Sequence, residues 1–226
     1  MTAADISLRG VGYEVEGVRV LHDVSVTLSA RRTAVIGANG SGKSTFARLL
    51  NGLRKPTAGT MRVLGLDVID HADHLRARVG FVFTNPEAQI LMPTPGEDLA
   101  LSLGRVGKRE RAARIDELLA RYGLAGRADQ PVASLSGGQR QLLAVAAVLA
   151  TAPDLVVADE PTTLLDLRNT RRIGDLLLNL DVPVVLVTHD LELAAQCDEV
   201  VLFVDGAVHA VGEPADVIDQ YRRRAA

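Results

Sequence analysis

The sequence predicts an α/β fold built around a parallel sheet. Three continuous apolar runs, Leu155–Ala158, Val184–Val187 and Val200–Val204, are separated by stretches of helical period at Asp166–Leu180 and Leu191–Gln196. Strands covered on both faces read as unbroken apolar runs, and they alternate with helices when crossovers join parallel neighbours. The chain has 226 residues, 47% of them hydrophobic and 23% charged. That is enough for one sizeable core or two small ones, and it is too apolar for intrinsic disorder.

Ahead of these runs, alternation with β-branched residues predicts strands near Asp5–Tyr13 and Val18–Leu28. Thr33–Ile36 reads as a short buried strand, Gly37 opens a glycine-rich turn, and Ser44–Leu50 reads as a helix. A further strand pair is expected near Thr60–Leu64 and Val79–Phe83, before Pro93 and Pro95 break the chain. From Glu97 to Ala150 the period is helical, most clearly at Arg111–Tyr122 and Gln139–Leu149. No Gly/Ser linker or internal repeat sets this middle apart, so it is expected as an insertion into the α/β core, over about residues 95–150. The chain is expected to close soon after Val200–Val204 with a solvated tail, Tyr221-Arg222-Arg223-Arg224.

Composition removes several classes of function. A net charge of −3 gives no general basic field, and 3% aromatics without tryptophan give no stacking platform, so no nucleic-acid partner is expected. The single cysteine, Cys197, cannot form an internal disulfide or a four-cysteine zinc site, and it reads as a small buried hydrophobe. Met1–Gly10 carries Asp5 and Arg9 and lacks the apolar core of a secretory leader. The longest apolar stretch, Leu142–Ala152, is about half a membrane span. A cytoplasmic chain that does not itself cross a membrane is expected.

The segment Gly37-Ala38-Asn39-Gly40-Ser41-Gly42-Lys43-Ser44-Thr45 fits G-x-x-x-x-G-K-[ST] between a predicted strand and a predicted helix. Glycines allow positive φ and turn successive N–H groups toward an oxyanion, and the helix start adds its unpaired amides. Lys43 suits the β- and γ-phosphates, and the Ser44 hydroxyl suits Mg²⁺. Further on, four apolar residues end in Asp159-Glu160. In phosphate-loop enzymes such a strand-end Asp faces the Mg²⁺ shell, and the next acid is placed to deprotonate a water. A third element, Leu135-Ser136-Gly137-Gly138-Gln139, opens a helix with a good N-cap and paired glycines that permit close backbone approach to phosphate.

In their order and spacing these motifs resemble the nucleotide-binding subunit of ATP-binding-cassette (ABC) transporters. The match includes Asp159-Glu160-Pro161, Thr163-Leu164-Leu165-Asp166 and Thr188-His189-Asp190, and it covers essentially the whole chain. The resemblance implies an α/β core with an antiparallel β edge and an inserted helical subdomain. It implies ATP and Mg²⁺ as ligands, Tyr13 stacking on adenine, Glu160 as general base, and His189 at the γ-phosphate. It places Asp166 at the interface between two cassettes. It has Ser136 and Gly138 of one subunit, within Leu135–Gln139, touch the γ-phosphate in the loop of another. Two subunits, identical or different, would close head to tail on two ATPs at the cytoplasmic face of the membrane.

One position departs from the family pattern. The glutamine usual after the strand Val79–Phe83, which meets Mg²⁺ and the membrane partner, is Thr84 here, and Gln89 lies five residues on. Either could carry that role. Asn85-Pro86-Glu87-Ala88-Gln89 with Pro93-Thr94-Pro95-Gly96-Glu97-Asp98 resembles the energy-coupling-factor subgroup of vitamin and metal importers. That implies a transmembrane coupling protein and a membrane protein that captures substrate. Thr84, Thr162–Asp166 and the short C-terminus resemble the biotin type, with a cobalt or nickel importer as the alternative. A soluble cassette ATPase of DNA repair or translation is disfavoured, because long coiled-coil insertions, zinc cysteines and a second cassette are all missing from the sequence.

Overall fold

In the computed structural model, which describes residues 4–104 and 106–225, the chain begins with β1 (Ile6–Val15), β2 (Val18–Leu28), β3 (Arg32–Gly37) and α1 (Lys43–Leu50). The first three residues of the Met1–Gly10 segment lie outside the described residues. Next come β4 (Ala58–Val63), β5 (Leu66–Asp67), α2 (Ala72–Arg78) and β6 (Val79–Val82). Helices α3 (Pro95–Ser102), α4 (Lys108–Arg121) and α5 (Gly137–Ala150) fill the middle. The remainder is β7 (Leu155–Asp159), α6 (Leu167–Leu178), β8 (Val184–Val187), α7 (Leu191–Ala194), β9 (Glu199–Val204), β10 (Ala207–Gly212) and α8 (Pro214–Ala225).

The chain divides into two compact units. The first comprises Met1–Phe81, Asp154–Glu160 and Leu176–Ala226. It holds a six-stranded sheet of order β10-β9-β3-β8-β7-β6 and an antiparallel sheet of order β2-β1-β4-β5. In the first sheet β3 runs parallel to both neighbours, with Ala34 opposite Leu186 on one side and Val200 on the other. Every residue of β3, β7 and β8 is buried, as unbroken apolar runs demand. The antiparallel sheet is half-buried instead: Met61 and Val63 of β4 point inward between exposed Thr60 and Arg62.

One expectation is corrected and another is refined. The strands near Thr60–Leu64 and Val79–Phe83 do not pair, because β4 pairs with β1 while β6 belongs to the six-stranded sheet. Half-burial suits β4 to a sheet with one wet face, whereas Val79, Phe81 and Val82 of β6 are buried. The arginine run is solvated as expected, but it belongs to a helix and not to a loose tail. Asp205 (φ 48°) and Gly206 (φ 82°) form a two-residue turn with both φ angles positive, which returns the chain as β10 antiparallel to β9. Helix α8 then packs Val217, Ile218 and Tyr221 against Ala34, Ile36, Val200 and Leu202. Arg222, Arg223 and Arg224 are its exposed last turn, where cations complement the helix dipole. Cys197 sits in the same cluster, and burial pushes its thiol up to about 12.

The second unit, Val82–Pro153 with Pro161–Asp175, is organised on α5, whose Leu142–Val148 stretch is wholly buried. Thr94 caps α3 by accepting the Glu97 N–H, with Pro95 at the first helical position. Helices α3 and α4 pack on α5.

Arg32, at the start of β3, is only 6% exposed. Its guanidinium donates to Leu178 O (2.7 Å), Val182 O (2.9 Å), Arg31 O (2.9 Å) and Leu180 O, gathering the connection between α6 and β8 onto the strand. Its backbone N–H donates to Asp198 Oδ2 at 2.8 Å. Burial lowers its pKa, and Asp198 opposes that effect. Replacing it leaves part-buried carbonyls of that connection without their donor. Arg32→Leu is therefore expected to lower stability by about 2–5 kcal/mol in chemical denaturation. A loss under about 1 kcal/mol would show that other donors fill the gap.

Candidate functional site

Strand β3 delivers Gly37 to the edge of the sheet, and the loop to Gly42 turns directly into α1. Gly37 (φ 147°) lies so close to the neighbouring strand that a Cβ would fall 2.2 Å from Phe203 O. Gly42 (φ 98°) is the N-cap of α1 in the left-handed region, and a Cβ there would meet Leu21 Cδ2 at 2.6 Å and Val20 O at 3.1 Å. No side chain caps this helix start, so its amides are open to an anion. The Lys43 Nζ donates to Gly37 O (2.8 Å) and Ala38 O (2.9 Å), and the residue is 4% exposed. Burial lowers its pKa, while Glu160 and then Asp159 raise it. A cavity of about 220 Å³ is lined by the loop from Asn39 through Gly40, Ser41, Gly42, Lys43 and Ser44 to Thr45, with Val20 and Glu160. The glycine cradle, the open helix start and the buried ammonium together fit a polyphosphate.

The acidic pair takes two different environments. Asp159 is buried and accepts the Ser44 hydroxyl at 2.8 Å and Arg48 Nη2 at 3.3 Å. Burial raises its pKa, and the Ser44 bond and Arg48 oppose that. Glu160 leaves the strand with φ 50°, its N–H donating to Val187 O at 2.9 Å. Its Oε1 lies 3.1 Å from Nδ1 of His189, which follows β8 and is partly exposed. Tyr13 lies on β1 opposite Leu21, half-buried, and its hydroxyl accepts from Arg54, whose guanidinium carbon stands 5.1 Å from the ring centroid. Tyr13 helps to line a cavity of about 550 Å³ with Gly12, Leu21 and His22.

The remaining predicted residues belong to the second unit. Leu135 is buried, and Ser136 caps α5 reciprocally: Ser136 N–H donates to Gln139 Oε1 (2.9 Å) and Gln139 N–H to Ser136 Oγ (3.3 Å). Gly137 faces open space, whereas a Cβ at Gly138 would fall 2.4 Å from Asn169 Cγ. Asp166 caps α6, accepting the backbone N–H (2.8 Å) and side-chain amide (2.9 Å) of Asn169. Those bonds hold its carboxyl below the usual range, the backbone bond most. Asn169 thus joins Gly138 to Asp166. Its only sequence signal is an Asp-x-x-Asn spacing at a helix start. Gln89 is engaged at both ends of its amide, accepting the Phe83 N–H (3.1 Å) and donating to Ala144 O (3.2 Å). Thr84, just beyond β6, is half-buried.

A buried lysine in a glycine loop at a helix start, beside a strand-end acid pair, defines a P-loop nucleotide-binding protein. The family model described as ABC transporter matches residues 21–163, and the chain belongs to that family. It is an ATP-binding, ATP-hydrolysing subunit of the ABC type. It is 42% identical over 213 residues to the biotin transport ATP-binding protein BioM of Rhizobium etli, covering 93% of this chain and 95% of that one. It is 39% identical over 236 residues to the nickel import ATP-binding protein NikO of Rhodobacter capsulatus, covering 96% and 92%. Among solved structures it superposes, with a TM-score of 0.81 and 30% identity over 92% of this chain and 98% of the other, on the dimeric ATP-binding cassette MJ0796 in a post-hydrolysis state bound to ADP and Pi.

Gly42→Ala forces a side chain into a left-handed position already bounded by Leu21 and Val20. It is expected to weaken ATP binding at least about tenfold, the equivalent of 1–3 kcal/mol of local strain. Nucleotide titration of the purified variant tests this, and an unchanged affinity would show that the loop relaxes freely.

Proposed function

We propose that the chain is the motor subunit of an energy-coupling-factor importer whose substrate is biotin. The observation that carries its ATPase mechanism is the 3.1 Å contact between Glu160 and His189 beside the loop that holds Lys43 and Ser44. Glu160 takes a proton from water as the water oxygen attacks the γ-phosphorus, and the bond to the ADP oxygen breaks. His189 orients that carboxylate through Nδ1 and contacts the γ-phosphate. Lys43 and the loop amides of Gly37–Thr45 bind the β- and γ-phosphates, and Tyr13 stacks on adenine. Ser44 and Asp159 form a hydroxyl and carboxylate oxygen pair that fits Mg²⁺, Asp159 acting through the ion's water shell. When bound, the ion neutralises phosphate charge.

Ser136 and Gly138 of a second subunit complete the site, and Asp166 lies at the interface between the two. The dimeric state of MJ0796 supports this arrangement. Among the described residues no helix is long and apolar enough to cross a membrane. On this reading the motor works through a transmembrane coupling protein and a substrate-capture membrane protein, peripheral to the cytoplasmic face. Because the Gln89 amide is engaged by the backbone of its own unit, Thr84 is the candidate for the loop's sensing role. The BioM likeness supports biotin, and the NikO likeness makes a nickel importer the second reading.

Glu160→Gln is expected to keep ATP binding and to lower turnover about 10²–10⁴-fold, the usual effect of removing a general base. Steady-state hydrolysis with the assembled transporter measures it, and unchanged turnover would refute the role. For the substrate, the chain is to be co-expressed with a coupling protein and either a biotin-capture or a nickel-capture protein. ATP-dependent uptake of labelled biotin is expected, and uptake of nickel alone would select the second reading.

A further inference from the structure

The turn between β9 and β10 touches both the phosphate loop and the antiparallel sheet. The Gly206 N–H donates to Ser41 O at 3.1 Å, inside the loop. On its other side the turn meets β2, where the His22 N–H donates to Gly206 O at 3.0 Å. The His22 ring adds a second bond, with Nε2 2.7 Å from Asp205 O. A carbonyl can only accept, so Nε2 carries the proton and donates. The approach is close elsewhere too: a Cβ on Gly42 would lie 3.5 Å from Gly206 Cα.

Residue 22 is also next to the adenine wall. Its neighbour Leu21 stands opposite Tyr13 across the β1–β2 ladder, and His22 and Tyr13 line the same cavity of about 550 Å³. The path from Tyr13 through β2 to the Asp205–Gly206 turn and on to Ser41 is therefore continuous. The backbone bonds of this path need no particular side chain. The Nε2 bond does, and it adds a side-chain tie to the backbone bond between the edge strand of the antiparallel sheet and the turn.

We infer that His22 is a positioning residue for nucleotide binding, fixing the adenosine wall at a set distance from the phosphate loop. The inference rests on the ATP reading above. A ligand held at two points gains affinity only while the points keep a matching separation. Loosening β2 at the turn, by loss of the Nε2 bond, loses part of that gain for ATP, which spans both points. It leaves inorganic tripolyphosphate, which uses the loop alone, unaffected.

The test is titration of the purified full chain with magnesium ATP and, separately, magnesium tripolyphosphate. His22→Ala is expected to raise the Kd for ATP roughly 3- to 10-fold, the worth of one hydrogen bond, with tripolyphosphate unchanged. His22→Phe keeps the bulk without the donor and is expected to match His22→Ala. His22→Gln restores an amide donor and is expected to recover ATP affinity. His22 is exposed, so thermal melting should barely move. Equal weakening of both ligands would overturn the inference, as would wild-type ATP affinity in His22→Phe or no recovery in His22→Gln. Failure of the unmodified chain to bind ATP while it binds tripolyphosphate would instead overturn the ATP reading itself.

Discussion

An ammonium with 4% of its surface exposed has given up its water, and burial accordingly lowers the Lys43 pKa. It stays useful as a cation only where oxygen atoms take the place of that water. Carbonyls of the consecutive residues Gly37 and Ala38 do so, and Glu160 and Asp159 add a favourable field. That requirement propagates outward. Two successive carbonyls can point at one amine only if the loop curls tightly, and the curl frees the amides of the helix start for an anion. The acids can help only if β7 ends near β3, which follows from parallel strands lying two places apart with β8 between them.

The same device recurs at the other end of β3. Arg32 is a buried cation surrounded by four backbone carbonyls, and Lys43, just beyond Gly37, is a buried cation held by two. Between its ends the strand itself, Thr33–Gly37, is wholly buried. The strand is thus pinned by polar contacts at its ends and by packing along its length. Close approaches at Gly37 and Gly42 leave the loop little room to drift, because backbone and Leu21 occupy the space a side chain would need. A phosphate-binding backbone arranged in advance does not have to be ordered by its ligand.

What could be read from sequence was local. The glycine loop, the acid pair at the end of β7 and the buried strands each declare themselves within a few residues. What could not be read depends on partners far along the chain. Alternation identifies β4 as a strand without naming β1 as its neighbour. Ala207–Gly212 is short and includes His209, and the arginines of α8 hide an apolar stripe of only Val217, Ile218 and Tyr221. Arg32 looks like a surface residue until the carbonyls of Leu178, Leu180 and Val182 close around it. Gln89 is a similar case, because its amide is committed by a contact with Ala144 that no spacing rule anticipates.

The consecutive acids Asp159 and Glu160 show how one covalent step separates two chemistries. Asp159 is the last residue of a fully buried strand, so its carboxylate must find partners in the interior, and Ser44 and Arg48 supply them. Were the strand to continue, the next side chain would simply emerge on the opposite face. Glu160 adopts φ 50° instead, which costs a non-glycine residue of order 1 kcal/mol. The bond from its N–H to Val187 O holds that conformation, and the contact with His189 fixes where the carboxylate points. A buried carboxylate that already accepts from Ser44 and Arg48 is placed to hold a cation beside the loop hydroxyl. A carboxylate that lines the loop cavity and meets the His189 imidazole has the placement that the proposed proton transfer from water requires. The backbone strain at Glu160 is the structural means by which these two acids, adjacent in sequence, come to stand in different surroundings.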